Sequence, residues 1–258
     1  MSDNYFFTID VGNTETSIAL IKNYNIDLIK KIKTINLKKK KINIFRSFSQ
    51  IRKILNVKNK MQCFVSSVVP EVNVLIKKRC KSCLNLNPHF ISFKKTKLNI
   101  KLKLNNKNQV GADRIANTVA VKSLYKTPAL VIDFGTATTF DIIDDIGNYV
   151  GGIISPGINL SIKSLHANTS KLPLIKFKKN LNFIGKDTKN AMQSGIYWGY
   201  IGLVSFLIRK IQSKFKKKLF IVSTGGYSKI ISKDINLINK INENLTIYGL
   251  IEIYKLNR

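Results

Sequence analysis

The chain has 258 residues, 44% of them hydrophobic, with only 14 Gly and 5 Pro; this composition excludes collagen-like, linker-like and globally disordered proteins. Its 44 Lys and Arg against 14 Asp and Glu leave a formal charge of +30. That charge is 38 Lys and 6 Arg, and Ile, Lys and Asn together supply 103 of the 258 residues, the pattern left by adenine- and uracil-rich codons. A nucleic-acid binder would favour Arg, whose planar fork reads phosphates and guanine edges, so nucleic acid is not expected as the main partner. Attraction for polyanions, ATP included, follows whatever the origin of the charge.

In chain order, the N-terminus carries an early acid, Asp3, and no basic stretch before an apolar run, so it does not read as a secretory signal. Tyr5 to Asp10 is a β-rich apolar run ending in an acid and then Gly12; Ala129 to Asp133 repeats this, followed by Gly135. Ile9-Asp10-Val11-Gly12-Asn13-Thr14 aligns with Ile132-Asp133-Phe134-Gly135-Thr136-Ala137, 123 residues later. Each continues into a second apolar run, Ser17 to Ile21 and Thr139 to Ile143, and a polar turn, Lys22-Asn23 and Asp144 to Asn148. Strand, tight turn and strand, used twice, predict two similar domains facing each other, 1–125 and 126–258.

Between the repeats, Phe45, Phe48, Ile51, Ile54 and Leu55 have helical spacing over Phe45 to Leu55. Gln62 to Val69 reads as a buried strand stopped by Pro70, with a helix from Glu71. Three cysteines make no disulfide framework and fit a reducing, cytoplasmic compartment. Cys80 and Cys83 form one CxxC near Cys63 and His89, without a second CxxC or a His pair at finger spacing, and read as thiols on a helix. Lys94 to Lys107 is expected to be an extended, exposed connection, and Gly111 to Tyr125 opens a helix.

After the second turn come Gly151-Gly152-Ile153-Ile154-Ser155-Pro156-Gly157, a helix from Asn159 and a long helix over Thr188 to Ile211. Ala191 to Ile208 has 18 uncharged residues, the lower limit for a membrane span. Gln193, Ser194, Ser205 and three glycines make it a buried helix instead. Gly195, Gly199 and Gly202, beside Trp198, share a face and are expected to mark close helix packing, with a dimer interface as the alternative. The strand Leu219 to Ser223, the loop Thr224-Gly225-Gly226 and a final helix complete an alternation of strands and helices that predicts an α/β fold.

An Asp-x-Gly turn between strands has a definite chemistry. The carboxylate at the strand end holds Mg²⁺ or its waters, and glycine admits a phosphate close to the backbone. Successive N–H groups then form an anion-binding nest. One such turn also makes an ordinary hairpin; two matched turns in a duplicated chain suit a clamp on a nucleoside triphosphate.

Asp10-Val11-Gly12-Asn13-Thr14, Gly111-Ala112-Asp113-Arg114, Asp133-Phe134-Gly135-Thr136-Ala137-Thr138-Thr139 and Gly151 to Gly157 resemble the motif set of type III pantothenate kinases. Ser66-Ser67-Val68-Val69-Pro70, Asp187-Thr188 through Gly195, Thr224-Gly225-Gly226 and Leu245 to Leu250 continue the set in order over essentially the whole chain. The resemblance implies two ribonuclease-H-like domains of the acetate/sugar kinase, Hsp70 and actin superfamily, with mixed sheets flanked by helices. It implies ATP-dependent phosphorylation of pantothenate, the first step of coenzyme A synthesis, by a homodimer that needs Mg²⁺ and a monovalent cation, K⁺ or NH₄⁺. Carried over, Asp10, Val11, Gly12, Asn13, Thr14, Glu15, Thr16 and Ser17 bind ATP, with Asp10 facing the magnesium and Thr136 adding a phosphate contact. Asp133 takes the monovalent cation. Gly111, Ala112, Asp113 and Arg114 hold pantothenate with Thr188, and Asp113 accepts the proton.

Two positions depart from the family pattern. Leu104 stands where a substrate-contacting Tyr is usual, and Glu243-Asn244 where a His precedes the final motif. Three alternatives stand beside the kinase reading: another small-molecule kinase of the superfamily, a nucleic-acid-binding regulator on a degenerate kinase scaffold, and a ribonuclease-H-like nuclease with carboxylates converging on two metals.

Overall fold

Tyr5–Val11 (β1) is buried along nearly its whole length, as expected of a strand at the centre of a sheet covered on both faces. It pairs antiparallel with Glu15–Lys22 (β2), which pairs with Asn25–Lys33 (β3); on its other side it runs parallel to Cys63–Ser67 (β4). His89–Phe90 (β5) completes the order β3-β2-β1-β4-β5. The computed structural model describes residues 3–38, 45, 49–50, 61–179 and 182–258. The helix expected over Phe45 to Leu55 lies almost entirely outside the described residues; Phe45 itself is buried in the core beside this sheet.

By contacts the chain divides into two compact units, Met1–Ser123 with Leu245–Arg258, and Leu124–Asn244. The first unit adds helices Thr34–Lys38 (α1), Pro70–Leu84 (α2), Ala112–Leu124 (α3) and, from the far end of the chain, Leu245–Asn257 (α7). Pro70 is the first residue of α2, where its missing N–H costs nothing, and Asn85 ends the helix in the left-handed region at φ 51°. Val72, Ile76, Cys80 and Leu84 recur every fourth residue and form its buried stripe. The expected boundary at 125/126 left the last helix with the second half. It belongs to the first unit: Tyr254 stacks on Phe6 of β1, ring centroids 3.7 Å apart, and a Cβ on Gly249 would overlap the Ala116 carbonyl of α3.

The second unit repeats the first strand for strand. Ala129–Phe134 (β6) pairs antiparallel with Ala137–Ile143 (β7), which pairs with Tyr149–Pro156 (β8). On its other side β6 runs parallel to Phe220–Thr224 (β9), and Lys240–Ile241 (β10) closes the order β8-β7-β6-β9-β10. Helices Ile158–Ala167 (α4), Thr188–Gln212 (α5) and Ser228–Ser232 (α6) complete this unit. Both sheets are therefore mixed, three antiparallel strands followed by two parallel ones, as the resemblance implied, and they match each other as the internal repeat suggested.

Two expectations need correction. Lys94 to Lys107 is not simply exposed: Ile100 and Leu102 are buried while Lys101 and Lys103 face solvent, an alternation that puts one apolar edge inward. The glycines of α5 do not pack closely on any of the described residues, since a Cβ at Gly195, Gly199 or Gly202 would meet nothing among them within 4 Å. The helix is long and apolar enough to cross a membrane, the only such helix among the described residues. Its other face, including Met192, Tyr197, Tyr200, Val204 and Ile208, is buried in the core of the second unit.

Candidate active site

The first acid–glycine turn sits where β1 leaves the sheet. Asp10 lies opposite Ser17 on β2 and beside Ser66 on β4. The Gly12 N–H donates to the Glu15 carbonyl at 3.0 Å and closes the hairpin. Val11 and Thr16 are buried, Gly12 and Ser17 half-buried, and Asn13, Thr14 and Glu15 stand in solvent at the tip. Glu15 and Lys31 form an ion pair at 3.3 Å, exposed on both sides and so of little energetic weight.

Asp113 comes to the same place from α3, where it is the second residue. Its carboxylate accepts the Arg114 N–H at 2.8 Å, a usual device for an otherwise unpaired donor in the first turn of a helix. This fold of the side chain requires glycine just before the helix. A Cβ on Gly111 would stand 2.5 Å from Asp113 Oδ1 and 3.2 Å from Val68 Cγ1. Ala112 and Arg114 are half-buried on either side of Asp113.

Both carboxyls are pushed above their ordinary range. Burial pushes Asp10 up to about 7, the negative charge of Asp113 adds to the rise, and the Ser66 hydroxyl and Lys31 oppose it. Burial likewise raises Asp113, against the Arg114 N–H and its charge. A close pair of carboxylates that resist ionisation has the character of a site built for a proton or a cation.

The second acid–glycine turn is built on the same plan within its own unit. Asp133 lies opposite Thr139 on β7 and beside Thr224 on β9, as Asp10 lies between Ser17 and Ser66. Its hairpin is one residue shorter and is closed by the Gly135 N–H on the Ala137 carbonyl at 3.1 Å. Two glycines admit this turn to its seat. A Cβ on Gly157 would overlap the Thr136 carbonyl oxygen and stand 2.6 Å from that of Gly135, and the Gly157 N–H donates to Thr136 at 3.1 Å. Gly225 has φ +86°, and a Cβ there would overlap Asp133 Oδ1. Tyr200 of α5 donates its hydroxyl to the Pro156 carbonyl and holds the chain just before Gly157.

Thr188 is the exposed first residue of α5 in the second unit. Asp187 caps that helix by accepting the Asn190 N–H at 2.8 Å, which holds its carboxyl below the usual range. Leu104 is half-buried in the first unit. Among the described residues no three His, Cys, Asp or Glu side chains converge. Cys63 and Cys80 are buried neighbours, and their contact together with burial raises the Cys63 thiol.

Sequence reasoning gave no role to Ser66 or to Thr34. Ser66 follows from the parallel register of β4 with β1, and its counterpart Thr224 follows from the same register in the repeat. Thr34 is 18 residues from Thr16 in sequence yet lies 3.0 Å away, hydroxyl to hydroxyl, a contact that no motif spacing announces.

A family model described as type III pantothenate kinase matches residues 6–210. The chain is 40% identical over 247 residues to a type III pantothenate kinase of a Sulfurihydrogenibium species, covering 94% of this chain and 96% of that one. It is 41% identical over 193 residues to one from Paramagnetospirillum magneticum, covering 75% and 74%. Among solved structures it is similar to the ethanolamine utilization protein EutJ from Carboxydothermus hydrogenoformans, with a TM-score of 0.57, 12% identity and coverage of 98% and 91%. It is similar also to an inorganic polyphosphate/ATP-glucomannokinase from an Arthrobacter species, with a TM-score of 0.51, 13% identity and coverage of 99% and 100%. At these identities the likeness to the solved structures is one of fold alone.

Proposed function

The chain belongs to the type III pantothenate kinase family, and from that premise we propose how its residues phosphorylate pantothenate from ATP. The observation that carries the site assignment is the Asp10–Asp113 pair at the mouth of the β1–β2 hairpin. Phosphoryl transfer needs in-line positioning and neutralisation of charge more than covalent help. The primary hydroxyl of pantothenate gives its proton to the Asp113 carboxylate as its oxygen bonds to the γ-phosphorus and the bond to ADP breaks. Arg114 faces the carboxylate of pantothenate, Gly111 and Ala112 frame the substrate beside Asp113, and Thr188 adds a hydroxyl contact. Val11 to Ser17 line the phosphates of ATP, and Thr136 adds a phosphate contact.

The donor set fits magnesium. Asp10 is a carboxylate whose ionisation a cation would favour, and nucleotide-bound Mg²⁺ keeps several waters and needs only one or two carboxylates. When bound, the ion neutralises charge on the transferring phosphates. Asp133, with its carboxylate against Gly225, is the group for K⁺ or NH₄⁺.

A pH dependence follows. Asp10 and Asp113 are both raised above the ordinary 3.8, chiefly by burial, and turnover requires the ionised form. The acid limb of kcat/KM should therefore lie well above 4, toward 7, and move down as Mg²⁺ is raised. An acid limb near 4 at every Mg²⁺ concentration would contradict the pairing.

The proposed assembly is a homodimer in the cytoplasm, where three free cysteines are at home. Support comes from the open face of α5, where Ala191, Gly195, Gly199, Gly202 and Phe206 align in solvent and Phe206 is 65% exposed. Phe206→Asp should convert the dimer to monomer in sedimentation velocity. A wild-type chain that sediments as a monomer at tens of micromolar would sink this assembly.

A further inference from the structure

We propose that Thr34 is a positioning residue for phosphoryl transfer, clamping the β1–β2 hairpin in the form that receives the phosphates of ATP. The inference rests on the reading of that hairpin as the ATP loop. Thr34 is 1% exposed and follows directly on β3, whose last residue Lys33 lies opposite Glu15. It reaches three alternate residues of the hairpin. Its hydroxyl donates to the Gly12 carbonyl at 2.6 Å, its N–H donates to the Thr14 carbonyl at 2.9 Å, and its Oγ1 lies 3.0 Å from that of Thr16.

Proton counting orients the network. A hydroxyl has one proton, and that of Thr34 is used on Gly12, so Thr16 donates to Thr34. The result is a relay from the Thr16 hydroxyl through the Thr34 hydroxyl to the Gly12 carbonyl. Its consequence lies in the next peptide group. A trans peptide sets its C=O and N–H on opposite sides, so a Gly12 carbonyl held toward Thr34 turns the Asn13 N–H away from it. That amide is at the solvent-facing tip formed by Asn13, Thr14 and Glu15. Thr34 thus sets the direction of a donor at the place where an anion nest needs one. Without the hydroxyl, the Gly12 N–H on Glu15 and the Thr34 N–H on Thr14 still close the turn, but the Gly12 carbonyl loses its side-chain donor.

The test is steady-state kinetics on the purified chain with Thr34→Val, Thr34→Ser, Thr16→Val and Asn13→Pro. Thr34→Val keeps the shape and loses the donor; it should raise KM for ATP about tenfold, the equivalent of roughly 1.4 kcal/mol, as expected for one buried hydrogen bond. KM for pantothenate should stay within about twofold, and Thr34→Ser should restore KM for ATP, because it returns the hydroxyl and little else. Thr16→Val breaks only the first link and should raise KM for ATP by about threefold. Wild-type KM for ATP in Thr34→Val would overturn the inference, as would a parallel rise of both KM values that Thr34→Ser fails to reverse. Should Thr34→Val not fold, an unchanged KM for ATP in Thr16→Val overturns it instead. Asn13→Pro removes the amide itself and separates the two readings. If it leaves KM for ATP unchanged, the hairpin is not the ATP loop; if it raises KM while Thr34→Val does not, only the clamp fails.

Discussion

Asp113→Asn should lower kcat by about three orders of magnitude, the usual weight of a positioned proton acceptor, while leaving ATP affinity within about twofold. Asn is isosteric with Asp and still accepts the Arg114 N–H through its carbonyl oxygen, so the start of α3 is preserved. What disappears is the group proposed to take the proton of the attacking hydroxyl. The same substitution should raise the melting temperature at pH 8. A carboxyl whose ionisation is raised by burial opposes folding once the pH exceeds its unfolded value of 3.8, and Asn carries no charge to desolvate. Loss of activity with gain of stability is a pairing that a structural role would not produce. Rates within threefold of wild type would remove Asp113 from the chemistry.

Gly157→Ala should be severely damaging to the second unit. The added carbon overlaps the Thr136 carbonyl oxygen and crowds that of Gly135, both backbone atoms that no rotamer change can move aside. Relief requires shifting either the β6–β7 turn or the start of α4, at a cost of about 2–4 kcal/mol. Because Thr136 belongs to that turn, kcat/KM for ATP should fall by more than tenfold alongside the melting temperature. Gly199→Ala is the matched control, since a Cβ there meets nothing, and on a helix it should be neutral or slightly stabilising. A Gly157→Ala variant with wild-type stability and KM would mean that the turn has room to relax.

Much of the geometry around the two acid–glycine turns was legible from residue order because its parts are local. An apolar run ending in Asp and then Gly, used twice, predicts two central strands and two turns, and the registers of Asp10 and Asp133 between Ser17 and Ser66, and between Thr139 and Thr224, bear out the repeat. Gly111-Ala112-Asp113-Arg114 was readable for the same reason, since the glycine and the acid it accommodates are two residues apart. What escaped depends on contacts between distant segments. Nothing near Leu245 states that Gly249 will press on Ala116, or that Tyr254 will stack on Phe6, so the last helix was assigned to the wrong half. Thr34 looks like any threonine at the start of a short helix until β3 brings it over the hairpin.

The glycines of α5 misled in another way. Three glycines on one face signal close approach of something, and periodicity cannot say whether that partner lies in the same chain. The open space beside each of them excludes a partner among the described residues. In the segment Lys94 to Lys107 the lysines masked an alternation in which Ile100 and Leu102 turn inward, because a compositional excess of Lys hides the sparse apolar signal beneath it.

The most direct measurement is the transfer of phosphate from ATP to pantothenate by the purified chain, with Mg²⁺ and K⁺ or NH₄⁺ present and the monovalent cation then exchanged for Na⁺. The account predicts 4'-phosphopantothenate as the product, with a rate that collapses in Na⁺ and is insensitive to the exchange once Asp133 is replaced by Asn. A folded protein that binds ATP but phosphorylates a different alcohol, or none, would contradict it.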